Sequence, residues 1–157
     1  MRLCNRFDLT GFGIMTIQSS NSSSSNRDKL LEAMAELDLA FSEDRALDVS
    51  NIFSKDARLM WPLTEDIVGR DSIREAFAEF MSMYTTLSWN PNREFIDVYN
   101  QRAFSLGSFT ETRTPREGGP TEKVYGRLLE IWQLSSDGEW EIIRLMTGRY
   151  AETEMLS

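Results

Sequence analysis

The 157-residue chain contains no histidine and one cysteine, Cys4. Without histidine there is no Ser-His-Asp or Cys-His nucleophile system, no imidazole zinc ligand and no imidazole base poised near neutral pH. A single cysteine allows neither an intrachain disulfide nor a thiolate metal cluster. No metal site is expected, and no cofactor, since Gly118-Gly119 lacks the strand-to-helix context of a phosphate-binding loop. Catalysis by side chains would fall to carboxylates, tyrosines, lysines or arginines, and two carboxylates are the candidates. Glu130 lies in the run Val124-Tyr-Gly-Arg-Leu-Leu-Glu-Ile-Trp132. If Leu128 faces a protein interior, period-two alternation places Gly126, Glu130 and Trp132 on the same side. A carboxylate between Leu128 and Trp132 would be desolvated, its pKa would rise, and it could serve as a general acid or base. The competing reading pairs Glu130 with Arg144 on the adjacent strand, facing solvent or a dimer interface. Asp38 is the second candidate, between Met34 and Phe41 on a helical stripe; its competing reading is a solvated boundary residue. Tyr99 and Tyr125 could donate hydrogen bonds into a pocket or sit on half-buried strands.

The elements that must position these residues follow from the pattern. Val124 to Leu134 and Trp140 to Met146 are rich in β-branched, aromatic and leucine residues and flank Ser135-Ser136-Asp137-Gly138. An Asp-Gly pair between such runs predicts a hairpin, because glycine accepts the positive φ that the turn requires. Both segments carry apolar residues on both faces, which predicts a central hairpin covered on each side. Leu30, Leu31, Met34, Leu37 and Phe41 recur at spacings of three and four, predicting a helix over 27–44 with Asn26 as its N-cap. A shorter helix is expected over 46–53, a strand over 57–61 stopped by Pro62, and a short ladder at Ile67-Val68. A third helix is expected over 71–85, opened by a Ser72/Glu75 capping box. Strands over 93–99 and 103–113, with a turn at Asn100-Gln101, precede the hairpin.

Composition sets the frame. Residues 27–151 read as one domain, preceded by a Ser-rich head over 1–26, expected to be disordered, and followed by a short tail over 152–157. The apolar run Gly11 to Ile17 contains two glycines and follows Asp8, so it reads poorly as a secretory signal, and synthesis could begin at Met15. A cytoplasmic protein is expected; the sequon at Asn21 would matter only in a secreted one. The net charge of −8 argues against nucleic acid and anionic membranes as partners.

Three motifs carry a resemblance. FSKDARLMWP (53–62) is similar to an aromatic-x-x-Asp-Ala run into a first strand, and IVGRDSIREAFAEF (67–80) to a Gly-Arg-x-x-Ile-x-x-x-Phe start of a third helix. YGRLLEIWQLSSDGEWEIIRL (125–145) is similar to a closing strand pair with an Asp-Gly-x-Trp turn. Together they resemble the nuclear transport factor two-like superfamily, and within it the SnoaL-like and ketosteroid-isomerase-like domains. The resemblance implies an α+β cone: a curved, mainly antiparallel (mixed) sheet around a pocket, with three N-terminal helices packed on its concave face. It also implies an apolar pocket and a homodimer through the outer sheet face. On that frame Leu37, Phe41, Trp61, Phe77, Phe80, Met81, Leu128, Trp132 and Leu145 are expected to line the pocket.

The family's catalytic sets do not map onto this chain. Where ketosteroid isomerases hold a base, a tyrosine and an aspartic acid, the resemblance puts Trp61, Leu37 and Leu128. The Asp-Arg-Asp relay of limonene epoxide hydrolases falls near Thr112, Thr114 and Leu145, and the His-Asp pair of dehydratases cannot exist without histidine. The fold hosts many functions, so the site must decide. The expectation is a cone that binds a small, largely apolar molecule. The alternatives are a cofactor-free isomerase, dehydratase or cyclase using Glu130 or Asp38, and an interaction module whose pocket is filled by its own side chains.

Overall fold

The computed structural model describes residues 25–62, 64–150 and 153–156. The head over 1–24, with Cys4 and the Asn21 sequon, lies outside the described residues. Helix α1 spans Asn26–Ser42 and α2 Ala46–Asn51. Strands β1 (Phe53–Met60) and β2 (Ile67–Val68) follow, then α3 (Arg70–Met83). The rest is strand: β3 (Tyr84–Tyr99), β4 (Arg102–Pro115), β5 (Thr121–Leu134), β6 (Trp140–Arg149) and β7 (Glu154–Leu156). The architecture is α+β, an open mixed sheet in the order β2-β1-β6-β5-β4-β3, with β7 added to β5. β1 runs parallel to β6, and the other pairings are antiparallel.

The β5–β6 hairpin is central, and Gly138 turns it at a φ of 84°. Trp140 anchors its tip by donating its indole N–H to the Asn26 carbonyl at 2.8 Å, tying the turn to the start of α1. The helices cover only the concave face. There Leu30, Met34, Leu37 and Ala40 of α1 and Ile73, Phe77 and Met81 of α3 meet Ala103, Trp132, Ile142 and Leu145. No described element covers the convex face, where Phe104, Leu106 and Met146 stay roughly half exposed and Phe95 more so. The expectation of a hairpin covered on both sides therefore fails for the single chain.

Several boundaries differ from the sequence reading, each for a local reason. The N-cap of α1 is Ser25 rather than Asn26, because Ser25 and Asp28 satisfy each other's backbone N–H groups as a capping box. The Ser25 hydroxyl and backbone N–H, both donating to Asp28, hold its carboxyl below the usual carboxylate range. Helix α3 starts at Arg70, ahead of Ser72, so no Ser72/Glu75 box forms; its N-cap is Gly69 at a φ of 92°. α2 ends at Asn51, and β1 begins at Phe53, where the core takes its ring. β3 begins nine residues before Arg93, and Pro91 is tolerated within it because β3 is the sheet edge. Two irregularities in the β3–β4 register, at Thr86/Ser88 and Arg93/Phe95, bend that edge. Residues 154–156, read as tail, extend the sheet beside Thr121–Lys123.

Candidate functional site

The concave face and the helices enclose a cavity of about 290 Å³. Its walls come from α1 (Leu37, Phe41), from Trp61 and Pro62 after β1, and from α3 (Phe77, Phe80). β3, β4, β5 and β6 add Trp89, Phe109, Leu128 and Leu145. The aromatics form one connected surface. Trp61 meets the Phe77 ring edge-on at 5.1 Å, Phe41 lies 4.5 Å from Trp89, and Trp89 lies 4.8 Å from Phe109.

Of the residues expected in the lining, Leu37, Phe41, Trp61, Phe77, Phe80, Leu128 and Leu145 border the cavity. Trp132 and Met81 do not. Trp132 stands one inward position beyond Glu130, paired with Ala103 and Ile142, where the core fills the space. Met81 is buried in the same core cluster near the end of α3. Tyr99 is exposed on the β3 edge, and the Tyr125 hydroxyl donates to Glu154 at 2.9 Å, away from the pocket.

Glu130 and Asp38 are brought together by a residue the sequence reading did not single out. Arg93 on β3 lies between them. Its Nη1 and Nη2 donate to the two Asp38 oxygens at 2.7 and 3.0 Å. Its Nε and Nη2 donate to the two Glu130 oxygens, both at 2.9 Å. Ser105 and, at 3.4 Å, the Trp132 indole N–H also donate to Glu130, and the Trp89 indole N–H donates to Asp38 at 3.1 Å. Burial opposes the charge on Arg93, but the hydrogen bonds it donates to Asp38 and Glu130 outweigh it and raise its pKa further. The partner of Glu130 is thus Arg93 and not Arg144. Asp38 is a member of this network rather than a solvated boundary residue. Both oxygens of each carboxylate are engaged by a guanidinium fork, which braces α1 against β3 and β5.

A second charged cluster borders the cavity. Glu111 and Arg113 sit on the inward face of β4, while Thr112 and Thr114 point to the other side. Arg113 donates from Nε to Glu122 at 2.9 Å, and its guanidinium lies 4.1 Å from the Tyr84 ring centre. That leaves Glu111 poorly matched. Its Oε2 is 3.6 Å from Arg113, and its Oε1 is buried without a hydrogen-bond partner among the described residues. Burial pushes the Glu111 carboxyl up, against the pull of Arg113 and Arg149. Alternation along β4 from Ala103 through Ser105, Gly107 and Phe109 would have placed Glu111 inward. Those residues are mostly small or polar, so the signal is faint.

The sign of the resulting pH effect is fixed. A carboxyl whose folded pKa is raised is protonated more readily in the folded chain, so it costs stability once pH exceeds its unfolded value. Glu111→Gln is therefore expected to raise the melting temperature at neutral pH. The gain should shrink to nothing as pH falls through the ordinary carboxylate range. A gain that persists unchanged in acid would contradict the assignment.

No group of three or more His, Cys, Asp or Glu side chains among the described residues is arranged to hold a metal ion. No described helix is long and apolar enough to cross a membrane.

Comparison with solved structures identifies the fold. A ketosteroid isomerase-like protein from Erwinia carotovora atroseptica superposes with a TM-score of 0.73 at 18% identity, over 80% of this chain and 96% of that one. A conserved protein from Planctomyces limnophilus gives 0.71 at 16% identity, over 83% and 98%. A nuclear transport factor 2-like superfamily protein from Salmonella enterica gives 0.69 at 16%, over 81% and 92%. The chain shares the nuclear transport factor two-like cone fold with these structures. No protein-family model matches the sequence, and no curated protein does.

Proposed function

We propose that this cone binds a small, largely apolar molecule in its internal pocket. The observation that carries the reading is the aromatic cavity of about 290 Å³, close to the lower end of the range for ligand sites. A cavity of that size also speaks against a cone filled by its own side chains. Catalysis through Glu130 or Asp38 is less well supported, because both carboxylates are held in a structural ion pair with Arg93 and Asp38 does not border the cavity. A homodimer through the convex face stays part of the proposal, supported by exposed Phe95, Phe104, Leu106 and Met146; a concentration-independent monomer in sedimentation would remove it. A cytoplasmic location also belongs to it, without nucleic acid or membrane partners, in keeping with the charge of −8.

The test follows from one glycine. A Cβ at Gly126 would lie 2.2 Å from the edge of the Phe109 ring, which lines the cavity, and 2.9 Å from the Gly148 carbonyl oxygen on the adjacent strand. Gly126→Ala is therefore expected to push that ring into the pocket. Naphthalene binding, followed by quenching of Trp61 and Trp89 fluorescence, should be saturable in the natural chain and weakened about tenfold in the variant, the scale of one misplaced methyl group. Native mass spectrometry of the purified protein would identify what the pocket carries. Absence of saturable naphthalene binding would count against the reading.

A further inference from the structure

Four charged residues among the described residues border the cavity, and their partners decide which charge a ligand meets. Glu130 is neutralised by Arg93, and Arg113 by Glu122. Glu111 and Arg149 remain. Arg149, the last residue of β6, is exposed and borders the cavity, which places it at the rim, and it has no ion pair among the described residues. Glu111 is buried in the wall with one oxygen unsatisfied. A rim cation with no ion pair among the described residues, beside an aromatic pocket, favours a negative charge on the ligand.

We propose that the ligand is a small aromatic or other apolar molecule bearing an oxyanion, carboxylate or phenolate, with Arg149 as its countercharge and the Glu111 carboxyl as its hydrogen-bonding neighbour. This rests on the reading of the cavity as a ligand pocket. The groups acting on Glu111 come from every side of it. Arg113 is on its own strand, Glu122 on β5, Arg149 on β6 and Asp44 in the turn after α1, while Trp89 on β3 and Val124 on β5 are its strand partners and carry no charge. A protonated Glu111 can donate a hydrogen bond to an oxyanion, whereas an ionised Glu111 repels it. Burial already holds this carboxyl towards its protonated form. Binding of an anionic ligand is therefore coupled to proton uptake at Glu111, and it weakens as pH rises.

The experiment compares naphthoate with naphthamide, which share a ring system and differ in charge, and naphthalene as an uncharged reference. The natural chain should bind naphthoate about tenfold more tightly than naphthamide, the scale of one charge-assisted hydrogen bond. Arg149→Met should remove that preference while leaving naphthalene binding intact. Glu111→Gln should retain naphthoate binding but flatten its decline with pH, since the amide still donates and does not ionise. Naphthalene binding without any preference for naphthoate overturns this inference and leaves the pocket reading standing. A preference that survives Arg149→Met overturns the assignment to Arg149. If none of the three probes binds, the pocket reading fails and this inference falls with it.

Discussion

Replacing Arg93 by methionine is expected to destabilise the fold by about 3–5 kcal/mol, the cost of removing one partner from a buried ion pair. The side chain of Glu130 is 2% exposed and that of Arg93 is 9% exposed, so the carboxylate left behind cannot recover its hydration. Ser105 and Trp132 would still donate to it, but neither carries a charge. Asp38, whose side chain is 26% exposed, has more access to water, so Asp38→Asn should cost less than Arg93→Met. The comparison that isolates the cause is a triple variant, Arg93→Met with Glu130→Leu and Asp38→Leu. Removing all three charges should restore most of the lost stability, because buried ion clusters offset most of their Coulombic gain by desolvation. Urea unfolding at neutral pH measures each difference. An Arg93→Met midpoint close to that of the natural chain would show that the network braces nothing.

The second large effect is steric and lies directly across the ladder. Gly107 on β4 is paired with Arg93 on β3. A Cβ on Gly107 would stand 2.0 Å from the Asn92 carbonyl oxygen and 2.9 Å from the Arg93 Cα, all of it backbone. No side-chain rotation can relieve such a contact, so the two strands must separate at the point where β3 bends. Gly107→Ala is expected to cost about 3 kcal/mol or more, the upper end for forcing atoms into a packed site. It should also pull the guanidinium away from Asp38 and Glu130. Gly148→Ala is the control. No atom of the described residues lies within 4 Å of the added Cβ there, and φ is not positive. That change should stabilise the chain by about 0.5–1 kcal/mol through lost unfolded-state freedom. Equal melting temperatures for the two variants would refute the close-approach argument.

These two residues show why the fold was easier to read than the site. The Asp137-Gly138 hairpin and the helical stripe of Leu30, Met34 and Leu37 are local signals. Each is written within a few positions of chain, so periodicity and turn chemistry expose them. Arg93 is different. It sits in the polar run Asn90-Pro-Asn-Arg93, which has no strand periodicity, and its partners lie 55 residues before it and 37 after it. Glu111 was hidden for another reason. On β4 the apolar Phe104 and Leu106 point outward, while Ala103, Ser105 and Gly107 point inward. Hydrophobic alternation therefore assigns this strand to the wrong face, and a one-residue change of face exchanges Thr112 for Glu111.

From its residue patterns this chain specifies an α+β fold, from its three motifs a resemblance to the cone, and from its composition the absence of histidine-based chemistry. It also specifies most of the apolar lining, because burying leucines and aromatics is rewarded wherever they recur in step with an element. The tertiary structure decided the charges. It bound Glu130 and Asp38 to a common guanidinium, left Glu111 and Arg149 without close partners among the described residues, and put both of these at the pocket. The effect of a charge depends on which opposite charge lies within a few ångströms and how much water remains between them. Only the folded chain specifies those distances.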